Sequence, residues 1–253
     1  MAEIATTIRE VRPETAAAVT LRLEPEGAIF TYRPGQYVTI DAHQFDAILP
    51  EIRVVEAARG KPVRPTPFSL SSDALDPRFI EVTVKLPRTI PLPPLSSFLV
   101  REARPGQSIR IQGPAGRYAL PEAPPPGITG FLHLCAGSGV APNRGMIRHA
   151  LGRGWPQRHL LLLQDRTEAD GLFRGEWLEL AARHPGSFRM RHVIGGHISE
   201  EIIRREAQGF LDLSRAWAFV CGPNGPRPEG AGFVDRWREL PGFSPDRIIT
   251  EQG

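Results

Sequence analysis

Two short stretches combine glycine with the end of an apolar run. The first is Cys135-Ala136-Gly137-Ser138-Gly139-Val140-Ala141-Pro142, where a buried strand would pass into a helix. Glycine lets the backbone approach an anion closely, and a helix start offers free N–H groups with partial positive charge. This is suitable chemistry for a pyrophosphate; a tight turn without a ligand is the alternative. Pro142 stands where the third glycine of G-x-G-x-x-G would be, so the dinucleotide fingerprint is incomplete. The second stretch, Val220-Cys221-Gly222-Pro223-Asn224, repeats the layout. Two such turns at the ends of parallel strands imply one shared crevice. Cys221 reads either as a small buried hydrophobe or as a reactive thiol.

Earlier in the chain, Thr66-Pro67-Phe68-Ser69-Leu70-Ser71-Ser72 places three serines and an aromatic on one strand. Hydroxyls can hydrogen-bond a polar heterocycle and a ring face can stack on it, although an ordinary edge strand has the same composition. Leu95-Ser96-Ser97-Phe98-Leu99 follows the proline-rich stretch Pro87–Pro94 and reads as a helix start able to hold phosphate. The seven histidines show no zinc-binding spacing, and no metal site is expected. Two cysteines supply neither a disulfide framework nor the four thiolates of an iron–sulfur cluster. Arg144, Arg148, Arg153, Arg158 and Arg166 suit an anionic small molecule or a solvated face equally.

These residues need elements to position them. Val19–Leu23, Tyr37–Asp41, Ile80–Lys85 and Ser108–Gln112 alternate with period two, and Pro-Gly turns recur at Pro34-Gly35 and Pro105-Gly106. That pattern predicts antiparallel strands, buried on one face, in a small barrel or sandwich. Residues 42–65 fit no clean period and read as an excursion carrying a short strand at Ile52-Arg53-Val54-Val55. Pro121–Gly127 is stiff and donor-poor, which suits a boundary. Beyond it, apolar runs at 131–135, 159–163 and 217–221, with a strand at 188–194, alternate with helical segments at 146–151, 175–183, 199–208 and 232–240. Ser199 is the expected N-cap of the third helix. This is the grammar of a parallel sheet with covering helices. The fold class is therefore β followed by α/β, divided as 1–123 and 124–253.

The 253 residues include 25 glycines and 26 prolines, yet 41% are hydrophobic and 23% charged, which is globular usage rich in turns. A net charge of +3 with scattered basic residues argues against a nucleic-acid partner. Neither a secretory start nor an apolar run long enough to span a bilayer is present, so a cytoplasmic location is expected.

Taken in order, the motifs resemble the ferredoxin–NADP reductase superfamily across essentially the whole chain. They are Tyr32-Arg33-Pro34-Gly35-Gln36-Tyr37-Val38, Phe68-Ser69-Leu70-Ser71-Ser72, Ser96-Ser97-Phe98-Leu99, Pro105-Gly106-Gln107, Gly113-Pro114-Ala115-Gly116, Gly137–Pro142, Asp165-Arg166-Thr167 and Cys221-Gly222-Pro223. The resemblance implies a flavin-binding antiparallel β-barrel followed by an NAD(P)-binding α/β domain, with the flavin ring between them. It places Phe68 on the isoalloxazine, Ser69 near flavin N5, and Leu70, Ser71 and Ser72 along the flavin-binding strand. Ser96 and Ser97 would hold the flavin phosphates. Gly137, Ser138, Gly139, Pro142 and Arg166 would hold the dinucleotide, and Cys221, Gly222 and Pro223 would place the nicotinamide. Ser69, Cys221 and Glu251 become the expected catalytic residues, with Glu251 near the acid that closes the family's last strand.

Three departures stand out. Thr66 replaces the usual phosphate arginine, which leaves Arg64, with Thr66 and Pro67, to serve there. Pro93-Pro94 replaces the glycine before Ser96, and Glu251-Gln252-Gly253 lacks the terminal aromatic of many members. The segment Arg191–His197 lacks both the Ser-Arg pair for a 2′-phosphate and a clear acidic residue for free ribose hydroxyls, and Arg189 or Arg191 could serve a phosphate, so the choice is open with a slight lean to NADH. The expected cofactors are FAD, with FMN as the alternative, and NADH or NADPH as donor. The expected activity is electron transfer from NAD(P)H through flavin to a separate acceptor, an iron–sulfur protein or an oxygenase component. A free-flavin reductase and a flavin-binding subunit of a larger complex are the alternatives.

Overall fold

The computed structural model describes residues 3–27, 29–88, 91–224 and 231–251. Thr89 and Ile90 of the proline-rich stretch and the terminal Gln252-Gly253 lie outside the described residues.

The alternating segments of the first half pair as expected. Strands β1 (Glu3–Thr15), β2 (Ala18–Pro25), β3 (Tyr37–Ile40), β4 (Thr66–Ser69), β5 (Ile80–Lys85) and β6 (Ser108–Ala115) form one sheet, in the order β4-β3-β6-β1-β2-β5. Every pairing is antiparallel. An isolated bridge between Leu70 and Val82 brings the two edges together into a barrel. Val38, Ile40, Ile80, Val82, Val84, Ile109 and Ile111 fill its interior, as period-two strands require. On the outward face of β2 and β5 the polar Thr20, Glu81 and Thr83 are also buried. The second half of the chain covers that face.

Residues 42–65 correct the sequence reading. They form two 3₁₀ turns and a helix, α1 (Leu49–Arg59), where a short strand was expected at Ile52–Val55. The β-branched run suggested a strand, yet local helix signals prevail. Pro50 opens the first turn, Glu51 complements the dipole there, and Gly60 closes the helix in the left-handed region at φ 64°. Helix α2 (Pro94–Arg101) sits where Ser96 and Ser97 predicted one, burying Leu95, Phe98 and Leu99 in the barrel core.

The second sheet contains β7 (Gly130–Ala136), β8 (Arg158–Asp165), β9 (Phe188–Ile194), β10 (Ala216–Cys221) and β11 (Ile248–Thr250). Their order is β11-β10-β7-β8-β9 and all are parallel. Helices α3 (Val140–Gly152) and α4 (Arg174–Arg183) cover one face, packing Ile147 and Trp177 on Cys135, Leu161 and Leu163. Helices α5 (Glu200–Ala207) and α6 (Phe233–Arg236) cover the other, packing Ile203 and Val234 on Leu132, Leu160 and Ala218. Burial on both faces explains why β7 and β8 are nearly continuous apolar runs. The chain runs outward from β7 to β9 and returns to β10 on the other side, so the order reverses between β7 and β10. Among the described residues no helix is long and apolar enough to cross a membrane.

The barrel and the second sheet meet across a buried ion network. Arg144 of α3, 2% exposed, donates to Glu81 at 2.6 Å, to Glu176 at 2.8 Å and to the Ser71 carbonyl at 2.9 Å. Arg148 adds Asp73 at 2.8 Å. Burial pushes the Glu81 carboxyl up, but Arg144, with Arg12 and Arg148, more than offsets this and holds it below its ordinary range.

Candidate functional site

Both glycine turns lie at the C-terminal ends of β7 and β10, at the point where strand order reverses. In open α/β sheets this is the ligand-binding position. A Cβ on Gly139 would lie 2.2 Å from the Cys221 carbonyl oxygen, so only glycine lets the turns touch. Gly137 differs: its φ is +56° and its Cβ position faces open space. The turn therefore presents an unobstructed backbone on one side and a backbone-to-backbone seat on the other. Ser138 between them is exposed, and Pro142, buried in the first turn of α3, removes a donor that had no partner to find.

Three side chains from distant parts of the chain converge beside this seat. Glu251 follows β11, and its N–H donates to the Val220 carbonyl at 3.1 Å, which places its carboxylate next to Cys221. One carboxylate oxygen accepts from the Cys221 thiol at 2.5 Å and the other from the Ser69 hydroxyl at 2.7 Å. Burial, then the Glu251 charge, pushes the Cys221 thiol well above its ordinary value. The sulfur is thus held as a thiol, a poor nucleophile but a fixed donor. Ser69, Cys221 and Glu251, named separately from the sequence, are brought together.

The strand leading to Ser69 is partly corrected. Phe68 is 8% exposed and lies beside Val38 in the barrel core, so its ring is enclosed rather than offered to a ligand. Leu70 is fully buried in the same core. The Ser71 hydroxyl accepts from Thr83 at 2.9 Å. The Ser72 hydroxyl meets the Tyr32 hydroxyl at 2.5 Å and accepts the Glu81 N–H at 2.9 Å. Alternation and the packing of α3 explain this: these side chains point into the barrel or the junction, where protein groups occupy them. Open to solvent or half-buried are Arg64, Thr66, Pro67, Ser69, Ser96 and Ser97. Strand β4 is also the edge of its sheet, with one side of its backbone unpaired by any strand from Thr66 to Ser69. A heterocycle has hydrogen-bonding backbone to meet along that edge, next to Ser69. Arg166 is exposed beyond the end of β8, while Gly222 and Pro223 continue the Cys221 turn half-buried.

Sequence reasoning missed one group entirely. His133, Asn143 and His159 are all fully buried and linked to each other. Their only signal was polarity within apolar runs, which period alone does not distinguish from core.

Comparison with known proteins agrees with this architecture. Residues 134–225 match the oxidoreductase NAD-binding domain family. An NADPH oxidoreductase of Mycobacterium tuberculosis is 33% identical over 229 residues, covering 85% of this chain and 52% of that protein. The ferredoxin reductase component of 3-ketosteroid-9-alpha-monooxygenase from Mycolicibacterium smegmatis is 31% identical, covering 85% and 57%. This chain thus spans little more than half the length of these relatives. Among solved structures, the flavohem-like FAD/NAD-binding domain of nitric oxide dioxygenase from Vibrio cholerae superposes with TM-score 0.74 at 20% identity. That match covers 98% of this chain and 97% of the other. Barrel, parallel sheet and glycine turns at its switch point define a two-unit oxidoreductase fold. Within that class, the chain belongs to the ferredoxin–NADP reductase superfamily.

Proposed function

We infer that this chain is an NAD(P)H-dependent flavin oxidoreductase that passes electrons to a separate acceptor, an iron–sulfur protein or an oxygenase component. The observation that carries the reading is the Ser69–Glu251–Cys221 cluster, where the edge strand of the barrel meets the switch point of the parallel sheet. Residues 1–123 form the flavin unit and 124–253 the dinucleotide unit, acting in the cytoplasm. Ser69 and the open edge of β4 face the flavin ring. Arg64, Thr66, Ser96 and Ser97 lie toward its phosphate tail, with FAD favoured over FMN. Gly137, Ser138, Gly139 and Arg166 hold the dinucleotide, and Cys221, Gly222 and Pro223 place its nicotinamide.

A bound flavin supplies the exchange between two-electron and one-electron chemistry. The protein's share is positional. The Cys221 thiol and the Gly222 backbone would hold the nicotinamide, and Ser69 would contact the flavin ring. Holding two rings at near-attack distance lowers the barrier without a classical acid–base pair. Glu251 fixes both donors at once.

The decisive experiment is an anaerobic spectral titration of the purified protein with NADH and with NADPH. A yellow protein whose flavin band bleaches with one nicotinamide is expected; a colourless protein that cannot be reconstituted with FAD or FMN sinks the reading. The enclosed Phe68 ring and Thr66 in the arginine position favour one second reading, in which flavin binds weakly as a substrate. That protein would purify with little flavin and bleach added flavin catalytically.

A further inference from the structure

Behind the Gly139 turn lies a row of buried polar groups whose direction can be worked out from a single carbonyl. Asn143 Nδ2 is 2.9 Å from the Gly139 carbonyl oxygen, which only accepts, so the amide nitrogen must face it. The amide oxygen then faces His133 Nδ1 at 2.7 Å, and because that oxygen also only accepts, His133 carries its proton on Nδ1. A neutral His133 has a bare Nε2, 3.0 Å from His159 Nδ1, so His159 must donate there. His159 Nε2 is left as an acceptor with no hydrogen-bond partner among the described residues. Each step follows from the one before, and the chain runs one way, from His159 to His133 to Asn143 to the Gly139 carbonyl.

The surroundings hold this arrangement rigidly. The His133 ring lies nearly parallel to those of His159 and Phe219, 13° between planes in each case, with centroids 5.3 Å and 5.5 Å away; His133 and His159 meet edge to edge, as their hydrogen bond requires. The Tyr118 hydroxyl lies 2.9 Å from Asn143 Nδ2 and takes its second hydrogen. Tyr118 belongs to the segment joining the two sheets, so the amide ties that connection to the turn as well. On its opposite side Gly139 is seated on the Cys221 peptide. The turn is therefore gripped between the Asn143 amide and the backbone of Cys221.

We propose that His133 and Asn143 are positioning residues, acting through the Gly139 carbonyl to orient the nucleotide-binding turn and its seat against Cys221. Drawing this carbonyl inward keeps its negative end away from the open side of the turn, where Gly137 and Ser138 present backbone to an anion. The proposal rests on the dinucleotide reading above for the identity of that anion.

Two measurements test it. Two-bond ¹⁵N–¹H correlation spectra of the uniformly labelled full chain at pH 7 should show both imidazoles neutral, with the proton on Nδ1. His133→Asn and His159→Asn, each losing one signal, assign the pair, and the first also keeps a donor for Asn143. Titration with NADH and NADPH should then show His133→Leu and Asn143→Leu binding about tenfold more weakly, with His133→Asn within about twofold of the wild type. An Nε2-protonated or charged imidazole at either position overturns the chain. Equal affinities in the leucine and asparagine variants of His133 overturn the positioning role. A wild type that binds neither nucleotide overturns the dinucleotide reading and the positioning role with it, and the spectra still decide the chain.

Discussion

Cys221 spends its hydrogen on a carboxylate that also holds Ser69, and this limits the chemistry open to it. A thiol pushed upward by burial and by Glu251 is a poor nucleophile, and its proposed role is positioning instead. Cys221→Ala should therefore slow anaerobic flavin reduction by at least about tenfold while flavin content stays unchanged. Stopped-flow absorbance and the visible spectrum read the two quantities, and equal loss of both would make Cys221 a packing residue. The buried histidines make a prediction about pH. Burial holds His133 down to about 4 from an ordinary value of 6.5, against the opposing bond to Asn143. His159 is lowered in the same way, by burial and then by His133. Between those values the unfolded chain binds a proton that the folded chain does not. The stability involved is therefore complete above pH 6.5 and lost as pH falls toward 4, about 3 kcal/mol for His133 alone. Urea denaturation across that range should show a steeper acid loss for the wild type than for His133→Asn.

Elements carry their own predictions where a single side chain decides an end. In α5 the Ser199 hydroxyl accepts the Ile202 N–H at 3.3 Å, as its place before Glu200-Glu201 suggested. Ser199→Ala should cost about 1 kcal/mol by urea denaturation, and Ser199→Asp should restore it, since a carboxylate caps the same donor and suits the helix dipole. The contrast with α1 is instructive. Ile52, Val54 and Val55 share β-branching, yet Pro50 and Gly60 bracket a helix in which Ile52 alone is buried and Val54 is 70% exposed. End signals outweighed the propensity of the middle.

At the scale of the molecule, the polar junction between the sheets determines whether the site exists. Arg144 sits where Glu81, Glu176 and the Ser71 carbonyl all need a donor. Removing it leaves the buried Glu81 with only the longer Arg12 contact at 3.4 Å, so Arg144→Ala should cost about 3 kcal/mol by urea denaturation. Adding Glu81→Gln should recover part of that loss, because the stranded charge is then gone. A cost below about 1 kcal/mol would mean that the apolar contacts hold the junction without the network. The same network keeps the barrel seated on α3, and therefore keeps Ser69 within reach of Glu251.

The sequence alone determined what the backbone's own periods encode. Strands of period two, buried apolar runs, the Ser199 cap and both glycine turns were legible because each depends on neighbours a few residues away. Ser69, Cys221 and Glu251 were nameable singly through the family resemblance. Only tertiary structure joined Ser69 to Glu251 across 182 residues of chain, since that contact exists only when barrel and sheet are docked. Tertiary packing also turned Phe68, Leu70, Ser71 and Ser72 inward, because the face a strand presents depends on what covers it. It was packing, too, that arranged His133, Asn143 and His159 into one directed chain. Two strands and a helix had to come into register before one carbonyl could fix the proton on each ring.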